Sequence, residues 1–396
     1  PTLKRFARRV TSPHTRDIIK KLAFQTYGAL HPRRGQRNLS SMDYGVNLIG
    51  HIRGDFGLGE SCRLVANALK ASGIPLLIHN LPLNGPAGET DTTWLGLERD
   101  ELRYGVNLIH LNPNEIANAV WRLDRRALRN RYNIAYWLWE LQEFPPEGDY
   151  TFSLFDEIWT PSVFVSDAIR RRTKKPVLTV PYALTVPKTE RKYSRGYFGL
   201  PEDVFLFMLS YDGNSVSERK NPMGSVRAYR KAFSPNDCGV GLVIKATHAR
   251  EGDLADLWHM LSGYPNIFVL TESYGKVEFN SLLQAVDVYV SLHKAEGFGL
   301  VMAEAMLLGT AVIATNWSAN TEFMDTSVAC MVRGDIVALA QDYTPYYKGG
   351  GGLYAEIVRE FRVQRYYGEK GKASYYGFIE RRKCGAEDTA EGRDTV

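Results

Sequence analysis

Two glutamates flank a glycine-rich turn in the second half of the sequence. Glu296 stands directly before Gly297, Phe298 and Gly299, and Glu304 follows within the next apolar stretch. The turn joins a continuous apolar run, which predicts a buried strand, to a predicted helix. Glycines there let the backbone approach a ligand closely, and the free N–H groups of the helix start favour an anion such as a diphosphate. The segment predicts a cradle for a nucleotide-type ligand.

The two glutamates suit the hydroxyl groups of such a ligand. Glu304 lies among apolar residues, and an unpaired buried carboxylate is costly, so we expect it to have specific donors such as ribose hydroxyls or protein groups. Glu296, at the carboxyl end of the strand, is placed to accept hydrogen bonds from a second, hydroxyl-bearing moiety. The alternative is that both glutamates only form structural salt bridges.

A basic pair, Arg219 and Lys220, precedes a helix that we predict to begin near Asn221. Cations at a helix start are unfavourable beside the positive end of the helix dipole unless an anion compensates them, and a phosphate would do so. The alternative is a basic pair that only faces solvent.

The first half of the sequence holds a second glycine-containing loop, which includes Gly57 and Gly59 and follows a predicted strand. Its spacing is not a full GxGxxG, so it favours a loop that faces a phosphate and an acceptor rather than a complete dinucleotide fingerprint. Another predicted strand ends near His110 and Asn112. Since the neighbours of His110 are apolar, we interpret it as a structural histidine.

An aromatic-rich turn follows the predicted strand 133–137 and contains Trp137, Trp139, Glu140 and Phe144. Aromatic faces can stack on the C–H surface of a sugar, but buried aromatic rings also supply core area. We favour the first interpretation, the lining of an acceptor cleft.

Short apolar runs alternate with helical patterns from about residue 45 onward, which is typical of parallel sheets buried on both faces. Strands are predicted at 46–50, 75–79, 106–111, 133–137, 157–160 and 177–180, and then at 204–209, 239–245, 267–270, 287–292, 311–315 and 328–332. Helices are clearest at 60–71 and 163–172. The pattern predicts an α/β protein with two Rossmann-like, doubly wound domains that face each other across a cleft.

The predicted organisation has four parts: a basic leader (1–43), an N-terminal Rossmann-like acceptor domain (44–190), a C-terminal Rossmann-like nucleotide-sugar domain (200–375) and a polar tail (376–396). The prolines and charges of residues 182–201 mark the seam between the two domains.

Residues 287–322 resemble the donor-binding signature of retaining family-4 glycosyltransferases with the GT-B fold, of the type that builds bacterial surface polysaccharides. The hallmark of that family is two glutamates separated by seven residues, and Glu296 and Glu304 match it within EGFGL and AEAM. The resemblance implies transfer of a hexose-type sugar from a nucleoside-diphosphate sugar to a hydroxyl of a glycan or lipid-linked glycan, with retention of anomeric configuration. It also implies a helix near the C-terminus, for which 354–365 is the candidate.

The resemblance also implies roles for individual residues. The residues that act on the transferred sugar and the leaving diphosphate are Glu296, Lys220 and Arg219. The residues that bind the donor are Glu304 at the ribose, Gly297, Phe298, Gly299 and Leu300 at sugar and phosphate, Gly57 and Gly59 near the diphosphate, and Asn112 near the sugar. The sequence departs from the family at Ser215, Ala319 and Asn112, where the family has an arginine, a glycine and a histidine.

Two other functions stay open from the sequence. One is a GT-B-fold sugar-nucleotide epimerase, which shares the architecture and the ligand. The other is a non-catalytic protein that binds a glycan or a nucleotide, which the missing arginine at Ser215 would suit.

Composition adds general limits. The 396 residues carry a formal net charge of only +5, so nucleic-acid binding is not expected, but residues 1–43 hold ten Lys or Arg against two acidic residues. This leader is either a flexible solvated segment, which we favour, or a peripheral contact with an anionic membrane. The sequence shows no apolar stretch near its start of the kind found in secretion signals, and its four cysteines and eight histidines show no metal-ligand spacing. We therefore expect a cytoplasmic protein, at most peripheral to the membrane, with no metal or cofactor.

Overall fold

The computed structural model describes residues 39–83, 88–123, 127–186, 193–213, 215, 217–249, 251–338, 353–356, 361–367 and 373–379. The basic leader therefore lies outside the described residues up to residue 38, and the polar tail from residue 380 onward. The chain divides into two compact units: of the described residues, those up to Leu184 belong to the first and those from Thr185 onward to the second.

The first unit contains a six-stranded parallel sheet with the strand order β2-β1-β3-β4-β5-β6. Its strands are β1 (Asp43–Gly50), β2 (Leu76–Asn80), β3 (Tyr104–His110), β4 (Tyr132–Tyr136), β5 (Glu157–Thr160) and β6 (Val177–Thr179), and its α-helices are α1 (Gly57–Ala71), α2 (Pro113–Arg122) and α3 (Val163–Arg170). In the described part of this unit, 3-10 helices lie at Leu39–Ser41, Leu95–Leu97 and Pro146–Leu154.

A ladder of asparagine side chains crosses the centre of this sheet. Asn47, Asn107 and Asn133 occupy the same level of β1, β3 and β4 and are fully buried. Asn47 Nδ2 donates to Asn107 Oδ1 at 2.9 Å, and Asn107 Nδ2 donates to Asn133 Oδ1 at 2.8 Å. Buried amides are tolerated only when they are hydrogen-bonded, and here each supplies the partner of the next.

The second unit contains another six-stranded parallel sheet, with the order β12-β11-β10-β7-β8-β9. Its strands are β7 (Phe205–Asp212), β8 (Val240–Thr247), β9 (Ile267–Leu270), β10 (Val288–Ser291), β11 (Ala311–Thr315) and β12 (Cys330–Val332). Its α-helices are α4 (Ser217–Lys220), α5 (Pro222–Ala232), α6 (Glu251–Met260), α7 (Lys276–Ala285) and α8 (Leu300–Leu307), with 3-10 helices at Arg195–Phe198 and Ala319–Glu322.

Apolar side chains cover both faces of the second sheet. One face packs on α5 and α6 through residues such as Phe207 and Leu242, and the other packs on α7 and α8 through residues such as Met208 and Val243. Because both faces are buried, the strands read as continuous apolar runs in the sequence. A small apolar cavity of about 30 Å³ remains between α5 and the sheet, away from its carboxyl edge.

The strand orders identify the fold of each unit. In the second sheet the chain adds β8 and β9 on one side of β7 and then β10, β11 and β12 on the other, which is the doubly wound order with its switch point between β7 and β10. In the first sheet the switch point lies between β1 and β3. The prediction of an α/β protein with two Rossmann-like domains is confirmed.

The end of the described chain differs from the prediction. In the range 354–365, the candidate for a terminal helix, the described residues belong instead to β14 (Leu353–Glu356), which pairs with β13 (Asp335–Ala338), and to β15 (Phe361–Tyr367), which pairs with β16 (Ala373–Ile379). The helix prediction is wrong because β-branched and aromatic residues of these segments favour strands once an antiparallel partner is present.

Candidate functional site

Two segments meet at the switch point of the second unit. Helix α4 follows β7, and the turn of residues 293–296 follows β10. The backbone N–H of Lys294 donates to the carbonyl of Arg219 at 2.8 Å, and Asn221 Nδ2 donates to the carbonyl of Leu292 at 2.8 Å. Lys294 and Glu218 also form an ion pair. The two segments are therefore held together by backbone, amide and charge contacts.

Glu296 is the centre of this junction. Its side chain is buried, Lys220 Nζ donates to its Oε1, and Arg219 Nη1 lies 3.1 Å from the same oxygen. Burial opposes ionisation of the carboxyl, but the charges of Lys220 and then Arg219 outweigh it and lower its pKa to about 2. The backbone N–H of Glu296 donates to Ser318 Oγ at 3.0 Å. Glu296 is thus an ionised carboxylate in a fixed position.

Glu304 is the second buried carboxylate of the site. It lies on α8, and Lys276 Nζ, from the first residue of α7, donates to its Oε1. The carboxylate therefore has the donor that its burial requires. Each of the two glutamates is opposed by a lysine from a different element.

The glycine turn between the glutamates leads directly into α8. Gly299 is the residue before the helix and has a φ of +95°, which a residue with a Cβ rarely adopts. A Cβ at this position would also lie 2.5 Å from Met302 Cε. The Phe298 ring packs beside Phe323 at a centroid distance of 5.3 Å. The turn presents the first N–H groups of α8, starting at Leu300, at the carboxyl edge of the sheet.

The polar stretch after β11 supports the turn from behind. Ser318 has φ 74° and ψ −160°, a backbone region that is almost exclusive to glycine, and its Oγ accepts from the Glu296 amide. His293 is buried, and its Nε2 lies 3.0 Å from Asn320 Oδ1. Burial lowers the pKa of His293, so the ring is a neutral hydrogen-bonding group. The residue at 319 is alanine, and the glycine-type conformation falls on Ser318 instead.

Arg219 and Lys220 lie differently from the prediction. Helix α5 begins at Pro222 after Asn221, so the basic pair ends α4 rather than starting the longer helix. The pair also does not only face solvent, because Arg219 is 6% exposed and both cations contact Glu296. Arg219 Nη2 further donates to Ser215 Oγ at 3.2 Å. Glu296 supplies the compensating anion that the sequence alone did not show.

The predicted residues of the first unit lie at its own switch point. Helix α1 begins at Gly57 rather than near residue 60, so Gly57 and Gly59 belong to its first turn. A Cβ on Gly59 would lie 2.2 Å from the carbonyl oxygen of Gly54, which explains the need for glycine there. Asn112 precedes α2, and its Oδ1 accepts from the backbone N–H of Leu138 at 3.1 Å.

His110 and the aromatic turn are core features. His110 is fully buried, its Nε2 lies 2.7 Å from Ser61 Oγ, and burial lowers its pKa to about 3. Trp137, Trp139 and Phe144 are at most 4% exposed, and the Trp137 and Phe144 rings stack at 5.8 Å. The prediction that these rings line an acceptor cleft is wrong, because their faces already pack on one another. Glu140 is half-buried.

Sequence reasoning missed Lys276 and the role of Ser318. The signal for Lys276 was present, since it stands in the first turn of a helix, where a cation is unfavourable without a nearby anion. The same argument drew attention to Lys220. Ser318 carried no such signal, because its backbone conformation is set by the packing of the turn around Glu296.

In the described ranges, no three His, Cys, Asp or Glu side chains come together in a way that could hold a metal ion. None of the helices in that part of the chain is both long and apolar enough to cross a membrane.

Comparisons with known proteins bear on both the fold and the site. Residues 231–345 match the family model described as glycosyl transferases group 1, a stretch that includes Glu296, Glu304 and Lys276 but not Lys220. No curated protein sequence matches the chain.

Solved structures with low sequence identity share the fold. Anabaena HepE in complex with UDP and glucose is 13% identical, with a TM-score of 0.52 over 74% of this chain and 86% of that one. A UDP-forming α,α-trehalose-phosphate synthase from Burkholderia xenovorans, in complex with glucose-6-phosphate, is 12% identical, with a TM-score of 0.50 over 73% of this chain and 88% of that one. Both likenesses support the GT-B-type architecture of paired Rossmann-like domains.

Proposed function

We propose that the chain is a glycosyltransferase that moves a hexose-type sugar from a nucleoside-diphosphate sugar to a hydroxyl of a glycan or lipid-linked glycan, with retention of anomeric configuration. The match of residues 231–345 to the glycosyl transferases group 1 model supports the transferase class. The HepE structures hold UDP or UDP-glucose, so uridine nucleotides are the first donors to test.

One observation carries the proposal: two buried carboxylates, Glu296 and Glu304, bracket the glycine turn at the switch point, and each is opposed by a lysine from another element. Open α/β sheets bind their ligands at this edge. A buried ion pair is weak evidence for stability, since well-packed apolar residues often do as well. Ligand binding therefore explains these buried charges better than a role in stability does.

The groups of the site match the successive parts of a sugar nucleotide: the ribose, the diphosphate and the sugar. Glu304 accepts from the ribose hydroxyls and Glu296 from the hydroxyls of the transferred sugar, while the first amides of α8 face the diphosphate. Lys220 and Arg219 neutralise the diphosphate. Arg219, whose guanidinium reaches Ser215, takes the place of the arginine that the family carries at that position.

The chemical step follows from these positions. The bond between the sugar C1 and the diphosphate oxygen breaks, the acceptor hydroxyl oxygen bonds to C1 from the same face, and the leaving diphosphate takes the hydroxyl proton. Lys220, Arg219 and the start of α8 stabilise the charge that develops on the diphosphate, a preorganised electrostatic effect. Glu296 holds the sugar in place while the bond exchange occurs.

The test measures release of nucleoside diphosphate by the full chain, with UDP-, GDP-, ADP- and TDP-sugars, in the presence and absence of an acceptor panel of glycans and lipid-linked glycans. We expect acceptor-dependent release with one donor, loss of it in Glu304→Gln, and retention in Glu202→Gln, which changes an exposed glutamate. The assay with EDTA tests the expectation that no metal is needed.

Other outcomes point to the other functions. Conversion of the sugar nucleotide without an acceptor would identify an epimerase. Tight nucleotide binding without turnover across the whole panel would identify a binding protein. No binding and no turnover would refute the proposal in all its parts.

A further inference from the structure

Lys245 is a buried charge that the proposed reaction does not use. It lies on β8, is 2% exposed, and donates from Nζ to Thr247 Oγ1 at 2.8 Å and to the backbone carbonyl of Glu272 at 2.7 Å. The same nitrogen lies 5.0 Å from the centre of the Tyr274 ring, a cation–π distance. Burial lowers its pKa to about 8. A buried ammonium costs free energy, so its position calls for an explanation.

Lys245 belongs to a row of polar groups near the carboxyl edge of the second sheet. It lies beside Ser210 in the register of β7 and β8, and Ser210 Oγ lies 2.9 Å from the hydroxyl of Tyr289 on β10. Burial raises the pKa of Tyr289, and the negative charges of Glu296 and Glu304 raise it further, so its hydroxyl is a neutral hydrogen-bonding group. The row therefore runs from Tyr289 on β10, through Ser210 on β7, to Lys245 on β8.

The other end of the row reaches the loop between β9 and α7. Lys245 holds the backbone of this loop, residues 271–275, through its hydrogen bond to the carbonyl of Glu272. The Tyr274 ring, beside the Lys245 ammonium, also packs on the Phe198 ring, with 5.5 Å between the two ring centres. The residue that follows the loop is Lys276, whose ammonium pairs with Glu304. The position of the loop therefore determines where Lys276 lies relative to Glu304.

We propose that Lys245 is a positioning residue: by holding the loop 271–275 at the Glu272 carbonyl and the Tyr274 ring, it places Lys276 against Glu304 and thereby sets the affinity of the site for the nucleoside part of the donor. This inference rests on the function proposed above. It assigns Lys245 no contact with the reacting atoms, so it predicts an effect on donor binding rather than on the chemical step.

The decisive variant is Lys245→Met, which removes the charge and both donated hydrogen bonds at similar volume. We expect the Kd of the full chain for UDP, or for whichever of GDP, ADP and TDP the unaltered chain binds, to rise about tenfold or more, since small misplacements of binding groups are costly. The KM for the donor should rise in parallel, while kcat at saturating donor stays within about threefold of the unaltered chain.

Tyr274→Leu is the second variant and removes the ring beside the ammonium, so it decides the question if Lys245→Met fails to fold. Lys231→Met, at an exposed position on α5, controls for the exchange of lysine for methionine. Calorimetry gives the Kd, and the melting temperature without ligand shows that each variant is folded.

The outcomes separate this inference from the proposed function. An unchanged Kd in folded Lys245→Met, or in Tyr274→Leu where Lys245→Met is unfolded, would overturn the positioning role while the function stands. A fall in kcat with unchanged KM would also overturn it, because Lys245 would then act in the chemical step. If the unaltered chain binds none of the four nucleotides, the proposed function fails and this inference fails with it.

Discussion

Lys220 and Glu296 stand 76 residues apart in the sequence and form an ion pair across the boundary between β7 and β10. The pair joins the two halves of the doubly wound sheet at its switch point. Because Arg219 contacts the same carboxylate and Lys294 pairs with Glu218, these residues contribute three cations and two anions to the junction, a surplus of positive charge. A surplus of this sign suits a site that receives a diphosphate.

Lys220→Met should lower turnover far more than it weakens acceptor binding. The methionine has a similar volume but lacks the charge that faces the leaving group in the proposed reaction. We expect kcat to fall by about 10²–10³, as for the loss of one preorganised donor at a developing charge. Steady-state kinetics with varied donor and varied acceptor measure this, with Lys231→Met as the control. Unchanged kcat would remove Lys220 from the chemical step.

The stabilising effect of Glu296 should depend on pH. Its pKa in the folded chain is about 2, against an ordinary value of 4.5, so its contribution to stability is present above pH 4.5 and is lost as the pH falls toward 2. The difference in unfolding free energy between the unaltered chain and Glu296→Gln should therefore narrow by about 2 kcal/mol between pH 6 and pH 3. Urea unfolding at each pH measures it.

Glu202→Gln, at an exposed position, is the control for the acid titration of Glu296. If the stability difference for Glu296→Gln stayed constant down to pH 3, the ion pairs with Lys220 and Arg219 would contribute no stability.

Glu218 and Lys294 form a second ion pair between α4 and the turn after β10, and it should help to hold the two segments together. Glu218 is more exposed than Lys294, so we expect a coupling energy of roughly 0.5–1 kcal/mol. A double-mutant cycle with Glu218→Gln and Lys294→Met, read by urea unfolding, measures this coupling. Strictly additive effects of the two substitutions would show that the pair does not hold the segments together.

Ser318 should be a strained residue, and two substitutions separate its strain from its hydrogen bond. Both Ser318→Ala and Ser318→Gly remove the Oγ that accepts from the Glu296 amide, but only glycine adopts φ 74° and ψ −160° without strain. We expect Ser318→Gly to be more stable than Ser318→Ala by about 1–3 kcal/mol. Thermal or urea unfolding compares them. Equal stability of the two variants would show that the backbone carries no strain there.

The parallel sheets could be predicted closely from the sequence. The bounds of β5, β9 and β11 agree with the predicted strands at 157–160, 267–270 and 311–315, because strands buried on both faces are continuous apolar runs. The terminal strands β14 and β15 could not, because their structure depends on antiparallel pairing with β13 and β16, and the pattern within one segment does not reveal its partner.

The site could be predicted in part. The spacing of Glu296 and Glu304 identified the carboxylates, but not that each would be paired with a lysine from another element. For Trp137 the sequence pattern alone was not enough. An aromatic residue after a strand is equally typical of a ligand cleft and of a core, and only its burial in the structure distinguishes the two interpretations. Residue type and spacing indicate which groups are present, whereas the partners depend on the register of the sheet.

The asparagine ladder of the first sheet has a consequence for how that register arises. If β1 paired with β3 one residue out of step, Asn47 would lose the amide of Asn107 and each would be buried without its partner, at a cost of about 1–3 kcal/mol per group. Leucine or valine at the same positions would impose no such penalty, because apolar contacts tolerate a shifted neighbour. The ladder therefore favours the observed register of β1, β3 and β4 over a shifted one, and with it the position of the loops that follow these strands.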